Sequence, residues 1–301
     1  MRDIARLPTA AQLLYPDPPP MLYHYTSAAA LISIIDSRQL WAGLPVQMND
    51  AEEQIRAFHW LEWIAREHNS PDATPVSEMF AKVVAEQIYA GHAHEGSAPY
   101  LVSFSADGDS LSQWRAYGPR GGVCLGVPFE MIRTAADRQG WYLAKCIYDE
   151  DDMHALVSEL FEHHLGLLDT GLAATGPVQA ETVAEMVAER AQMLFSELRL
   201  YGLFIKNPSF HAEMEWRLLK FDAEPDDGEL RFVPGTDGVR AFLPFRLLAD
   251  DHPGFPDHPR PSVHIGPSPL PGIAEYATKR LLERWTGPGN ADVWPTRSSF
   301  R

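Results

Sequence analysis

Long apolar runs are missing from this chain of 301 residues. No stretch approaches the roughly 20 consecutive apolar residues that cross a bilayer, so no membrane partner is expected. Cysteine is scarce, with only Cys124 and Cys146. A disulfide framework or a zinc ribbon needs more than two. Both lie in apolar runs, Gly122-Val-Cys-Leu-Gly-Val and Ala144-Lys-Cys-Ile-Tyr, and read as reduced core thiols. The opening residues, MRDIARLPTAAQLLYPDPPP, lack the apolar centre of a signal peptide, which leads to the expectation of a cytoplasmic protein. Positive charge is short as well. There are 25 Lys and Arg against 41 Asp and Glu, a net charge of −16, which disfavours bulk nucleic-acid binding. The phosphate-binding loop, the dinucleotide Gly-x-Gly-x-x-Gly, the zinc-protease His-Glu-x-x-His and the hydrolase Gly-x-Ser-x-Gly are all absent. Neither cysteine carries a local nucleophile signature, and His92-x-His94 lies in a small-residue turn, so neither a cysteine hydrolase nor a metal site is expected.

What is present is ordinary globular material, 45% hydrophobic and 22% charged. A chain this long buries well over half of its unfolded surface without staples. Residues 1–20 are expected to be an extended arm because Pro16, Pro18, Pro19 and Pro20 oppose a helix. Residues 21–301 are expected to be one α+β domain. A strand at 21–25 leads into a helix capped by Thr26 or Ser27, with Leu31, Ile34 and Ile35 inward. Amphipathic helices follow near 52–68 and 76–89, the second ending at Gly91. Short β-rich segments then start at Tyr100, Gly122 and Trp141. A helical insertion near 153–202 separates these from strands at Trp216, Leu230 and Val239. The proline-rich stretch 253–261 is a loop. It precedes a strand end at 263–266, a helix at 273–285 and a last short strand at 292–294.

Two stretches carry a chemical pattern. In Tyr23-His24-Tyr25-Thr26 the side chains of a strand alternate, so His24 and Thr26 share one face and Tyr23 and Tyr25 the other. That polar strand end suits a ligand, or His24 simply hydrogen-bonds backbone. In Glu213-Met-Glu215-Trp-Arg217 an extended chain turns Glu213, Glu215 and Arg217 one way and Met214 and Trp216 into the core. Two carboxylates beside a guanidinium shift one another's ionisation and can face a developing cation. A salt-bridged solvent face is the alternative. The two stretches are expected on neighbouring strands, with His24 and Glu215 facing one cleft. Ser105 ends a strand shortly before Trp114 and Tyr117, whose rings either line that cleft or pack in the core. Asn49-Asp50 reads as a helix cap or a ligand contact.

Taken together these stretches resemble a bacterial family, domain of unknown function 2971. The residues that carry the resemblance are Leu22-Tyr-His-Tyr-Thr-Ser, Trp41-Ala, Asn49-Asp50, Phe104-Ser105 and Trp114-Arg-Ala-Tyr117. Gly122-Val-Cys-Leu-Gly-Val, Tyr148, Lys206-Asn-Pro, Glu213-Met-Glu-Trp-Arg-Leu, His264-Ile-Gly-Pro267 and Ser298-Ser-Phe-Arg301 extend it along the chain from about residue 21. More distantly, the order of a Tyr-His-x-Thr strand, a Phe-Ser strand end, a downstream Tyr-Gly and a late Glu strand is similar to ADP-ribosyltransferases.

That second resemblance implies a split mixed β-sheet with flanking and inserted helices, and NAD as substrate. In it the Tyr-His-Tyr-Thr stretch, including Tyr25, binds the nucleotide, His24 holding the adenosine-side ribose and Thr26 the nicotinamide half. Tyr117 or Trp114 stacks on nicotinamide, with Ser105 nearby. Glu215 binds the ribose 2′-hydroxyl and stabilises the oxocarbenium-like charge, as glycosidase carboxylates do. Glu213 activates an acceptor, or Arg217 neutralises the pyrophosphate. The implied activity is ADP-ribosyl transfer to a macromolecular acceptor. Plain NAD glycohydrolysis, and a non-catalytic nucleotide-sensing or protein-binding module of the same fold, are the alternatives.

Overall fold

The computed structural model describes residues 4–45, 53–69, 73–89, 99–118, 121–176, 179–221, 228–235, 238–247 and 260–297. Asn49-Asp50, Gly91, His92, His94, most of 253–261 and Ser298–Arg301 lie outside them. The chain is a mixed α+β protein that divides into two compact units. One comprises Met1–Pro16, Met48–Ser97 and Cys146–Pro208, the other Asp17–Gln47, Ala98–Lys145 and Ser209–Arg301.

The first unit is helical. Its elements are α1 (Pro8–Leu14), α3 (Glu53–Glu67), α4 (Pro75–Tyr89), α7 (Glu150–Thr175) and α8 (Ala180–Gly202). Phe58 stacks on Phe195 with ring centroids 6.1 Å apart, and Phe80 tilts against Phe161 at 5.1 Å. Asp149 caps α7 by accepting from the amides of Asp151 and Asp152, and acidic Glu150, Asp151 and Asp152 complement the positive end of the helix dipole. Among the described residues no helix is long and apolar enough to cross a membrane. The extended arm expected at 1–20 is corrected over Pro8–Leu14. Those residues form α1, with Ala10 and Leu14 fully buried. Pro8 sits in the first turn, where its missing amide costs nothing, and the prolines from 16 onward only stop the helix.

The second unit holds a seven-stranded sheet in the order β10-β9-β4-β1-β3-β6-β5. These strands are β1 (Met21–Ser27), β3 (Tyr100–Ser105), β4 (Gly122–Pro128), β5 (Tyr142–Lys145), β6 (Glu215–Lys220), β9 (Ser262–Ile265) and β10 (Asp292–Pro295). The sheet is mixed, since β10 runs parallel to β9 while the other pairs are antiparallel. A three-stranded sheet, β2-β8-β7, is built from β2 (Gln39–Ala42), β7 (Arg231–Gly235) and β8 (Gly238–Arg246). The helices of this unit are α2 (Ala28–Ser37), α5 (Leu111–Tyr117), α6 (Phe129–Gln139) and α9 (Pro271–Thr286).

One face of the large sheet is apolar. Leu22, Val102, Phe104, Val123, Leu125, Val127, Trp216, Leu218 and Val263 pack there with Leu31, Ile34 and Ile35 of α2 and Ile132, Ala135 and Ala136 of α6. Leu282 and Trp285 of α9 and Leu40, Ala42, Leu243 and Phe245 of the small sheet complete that core. Ser27 caps α2, its hydroxyl accepting from the Ala30 amide at 3.1 Å. The helix α6 goes beyond the sequence expectations; Phe129, Ile132, Ala135 and Ala136 bury its inner face, and Gly140 ends it at φ 69°.

Candidate functional site

The order β1-β3-β6 places one strand between the Tyr-His-Tyr-Thr and Glu-x-Arg segments, so they are not the neighbours the sequence suggested. The register then fixes which side chains share a face. Tyr23 lies opposite Ser105, and Ser105 opposite Glu215, so these three project from one face in a row across three strands. His24 and Thr26 have the opposite parity and point to the core face, where the His24 ring tilts against Phe104 at 5.8 Å. The single cleft shared by His24 and Glu215 is therefore corrected: the sheet itself separates them.

His24 sits where the sheet parts. β1 and β3 share only the Tyr23–Ser105 pair, whereas β3 and β6 pair over six residues. Beyond that point the Leu101 backbone of β3 bonds to Gly43 in both directions, at 2.9 and 3.0 Å. The His24 Nδ1 lies 3.0 Å from the Ser103 carbonyl oxygen. A carbonyl only accepts, so Nδ1 carries the proton. Burial lowers the His24 pKa, opposed by the bond to Ser103, which leaves a neutral ring at physiological pH.

On the Glu215 face the chain is polar and closely packed. Glu215 and Arg217 are 4% and 2% exposed. They pair side-on, Arg217 Nε donating to Oε1 at 3.0 Å and an Nη to Oε2 at 3.2 Å. The Ser105 hydroxyl donates to the Glu213 carbonyl at 2.8 Å and accepts from the Asp107 amide at 3.0 Å, tying the end of β3 to the turn before β6. Glu213 itself is not on the strand. It ends a short 3-10 helix, Pro208–Glu213, and stays partly exposed. Met214 follows in a left-handed conformation, φ 47°, and is 45% exposed, not core as its alternation implied. The extended pattern breaks at this residue, so only Glu215 and Arg217 keep the shared facing; Trp216 is buried as expected.

Beside that row lies an aromatic cluster. Trp114 is fully buried, meets Tyr25 edge-on at 4.8 Å, and donates from Nε1 to Asp109 Oδ1 at 2.8 Å. A ring with no exposed face cannot stack on a ligand, which rules out Trp114; Tyr117, the other expected stacking residue, is 44% exposed at the end of α5. Tyr25 is also committed to structure: its hydroxyl donates to the Asp107 carbonyl and accepts from the Ser110 amide, both at 2.8 Å. Burial, followed by the nearby Cys124, pushes its pKa up, and burial holds the Cys124 thiol well above its usual range.

Sequence reasoning gave Tyr23, Asp109 and His264 no individual role in the site. Tyr23 lies between two glycines; a Cβ on Gly108 would stand 2.5 Å from its ring and one on Gly126 2.9 Å. His264 meets the edge of Tyr23 at 5.7 Å and of Trp294 at 5.2 Å, and its pKa is lowered by burial against the pull of Asp109 and Asp107. Burial opposes the charge on Asp109. The bonds from Thr296, Trp114 and the Arg297 amide together outweigh it, so its carboxyl sits below the ordinary range. The one signal available for Tyr23 was its alternation with His24, and choosing between the two needed the strand order.

No curated protein and no solved structure matches the chain. A family model described as a protein of unknown function, DUF2971, matches residues 113–218, a span that holds Trp114, Tyr117, Glu213, Glu215 and Arg217 but not the Tyr-His-Tyr-Thr stretch, and over that span the chain is similar to this family.

Proposed function

We propose that the chain cleaves NAD and transfers its ADP-ribose to a macromolecular acceptor, with Glu215 as the carboxylate that faces the developing charge. The observation that supports this most is the row Tyr23–Ser105–Glu215 on three adjacent strands, with Arg217 fixing the Glu215 carboxylate side-on. In the reaction the bond from ribose C1′ to the pyridinium nitrogen breaks, and its electron pair leaves with neutral nicotinamide. Positive charge then spreads over C1′ and the ring oxygen, and an ionised, orientated carboxylate stabilises it. An acceptor oxygen forms the new bond to C1′ and gives up its proton. Glu213, partly exposed two residues upstream, is suited to receive that proton. Tyr117 is the aromatic surface for nicotinamide in this reading. His24, on the core face, bonds across the parting of β1 and β3, and neither it nor Thr26 takes a direct part in the chemistry.

One observation favours a second reading, a non-catalytic nucleotide- or protein-binding module. Glu215 is almost wholly buried and doubly bonded to Arg217, the arrangement of a structural ion pair. Nicotinamide release and acceptor labelling separate the readings. Release with labelling supports the transferase, and release alone supports NAD glycohydrolysis. Glu215→Gln should reduce release a hundredfold or more at a temperature where it is fully folded, since removing one preorganised charge costs a few kcal/mol in the transition state. Release unchanged in both Glu215→Gln and Glu213→Gln ends the catalytic reading and leaves the binding module.

A further inference from the structure

The small sheet β2-β8-β7 has two unlike faces. Leu40, Ala42, Leu243 and Phe245 enter the core. The register Gln39–Arg246, Trp41–Pro244 and Arg231–Phe242 puts the complementary set on the other face. At this sheet lies a groove of about 680 Å³ lined by Arg138, Arg231, Arg246, Gln39, Gln139 and Glu229, among others. In a chain with 41 acidic and 25 basic residues, the described residues of this concavity carry three guanidinia and one carboxylate.

The groove is held open by its own hydrogen bonds. Gln139 donates to the Arg246 carbonyl at 2.8 Å and accepts from the Arg246 amide at 3.1 Å, which clips the end of α6 to the end of β8. That clip joins the neighbour of Arg138 to the backbone of Arg246, and both arginines line the groove. Lys220 donates to the carbonyls of Gln139 and Gly140 at 2.9 and 3.1 Å, compensating the negative end of α6 that would otherwise repel an anion. Arg231 is anchored through Nη1 to the carbonyls of Gly228 and Leu230 at 3.2 and 3.1 Å. Gathering planar forked donors in this way suits phosphate oxygens, which accept them bidentately. Trp41 does not itself line the groove but pairs across the strands with Pro244, which does; its ring is 40% exposed and tilts against Phe242 at 6.1 Å.

We propose that this groove binds a phosphate-bearing nucleotide, its phosphates among Arg138, Arg231 and Arg246 and its base on Trp41. The volume lies within the range of about 300–1,000 Å³ that takes small ligands. The site is separate from the Glu215 row, which projects from the other face of the large sheet.

Calorimetry with ADP, inorganic pyrophosphate and adenosine tests it. ADP and pyrophosphate should bind and adenosine should bind far more weakly. Arg138→Gln with Arg246→Gln should weaken both anions at least tenfold while the melting temperature stays put. Trp41→Ala should weaken ADP and leave pyrophosphate unchanged. Glu215→Gln should bind pyrophosphate as the parent does, so failure of the NAD reading and failure of this one are distinguishable. Absence of pyrophosphate and ADP binding, or affinities indifferent to the paired arginine variant, overturns the proposal. A single-stranded oligonucleotide bound more tightly than ADP overturns it in favour of a nucleic-acid surface.

Discussion

Replacing Arg217 by methionine keeps an unbranched apolar stem in place and removes the guanidinium from beside Glu215. The two groups are 2% and 4% exposed and meet through contacts of 3.0 and 3.2 Å. At 3.0 Å and an effective dielectric near 20 their attraction is about 5.5 kcal/mol, an upper bound before desolvation is subtracted. Breaking such a buried pair from one side typically costs about 3–5 kcal/mol, because the remaining charge has lost this partner but not its burial. That is a large fraction of a total stability of about 5–15 kcal/mol. Removing both charges at once, in Glu215→Leu with Arg217→Met, should restore part of the loss, since neither member of this pair is then buried without the other. Urea unfolding followed by the fluorescence of the eight tryptophans gives all four corners of the cycle. A loss below about 1 kcal/mol in Arg217→Met would refute the reasoning, as would a double variant no more stable than the single one.

Two further outcomes follow from the neighbouring cluster. Gly126→Ala would bring a Cβ to 2.5 Å from the Ser262 hydroxyl and 2.9 Å from the Tyr23 ring, and should cost about 1–3 kcal/mol in the same urea assay. Because the folded Asp109 carboxyl lies below its usual range, it contributes stability above the unfolded pKa of about 4 and loses it as pH falls through the folded value. Asp109→Asn should therefore be less stable than the parent at pH 7, with the gap closing as the pH falls below about 4; a gap that widens with acid would contradict the assignment.

Much of the architecture is local enough to be legible in the residues. The apolar run from Gly122 to Pro128 and the inward Trp216 and Leu218 mark strands, and Ser27 caps the helix whose Leu31, Ile34 and Ile35 turn inward. These features depend on periods of 2.0 and 3.6 and on backbone groups a few residues apart. The alternation of Tyr-His-Tyr-Thr and of Glu215-Trp-Arg217 was equally visible, whereas its break at Met214 was not. What no single stretch contains is the order of the strands. β3, some seventy residues beyond β1, lies between β1 and β6, and its register makes Tyr23 and not His24 the partner of Glu215. A shift of one residue exchanges the two faces of a strand, so that choice belongs to long-range hydrogen bonding alone.

Burial divides in the same way. Trp114, Tyr117 and Tyr25 have similar ring chemistry in the sequence. Only the packing of α5 against β1 encloses Trp114, ties the Tyr25 hydroxyl to the loop at 107–110 and leaves Tyr117 in the open. Composition set the net charge at −16, yet the three arginines of the groove come from positions 138, 231 and 246 and meet only because α6 ends beside β8. Residue type and local period were the sequence's own contribution. Which residues share a face, a cluster or a groove depended on contacts between segments far apart in the chain, and those are fixed only when the whole sheet closes.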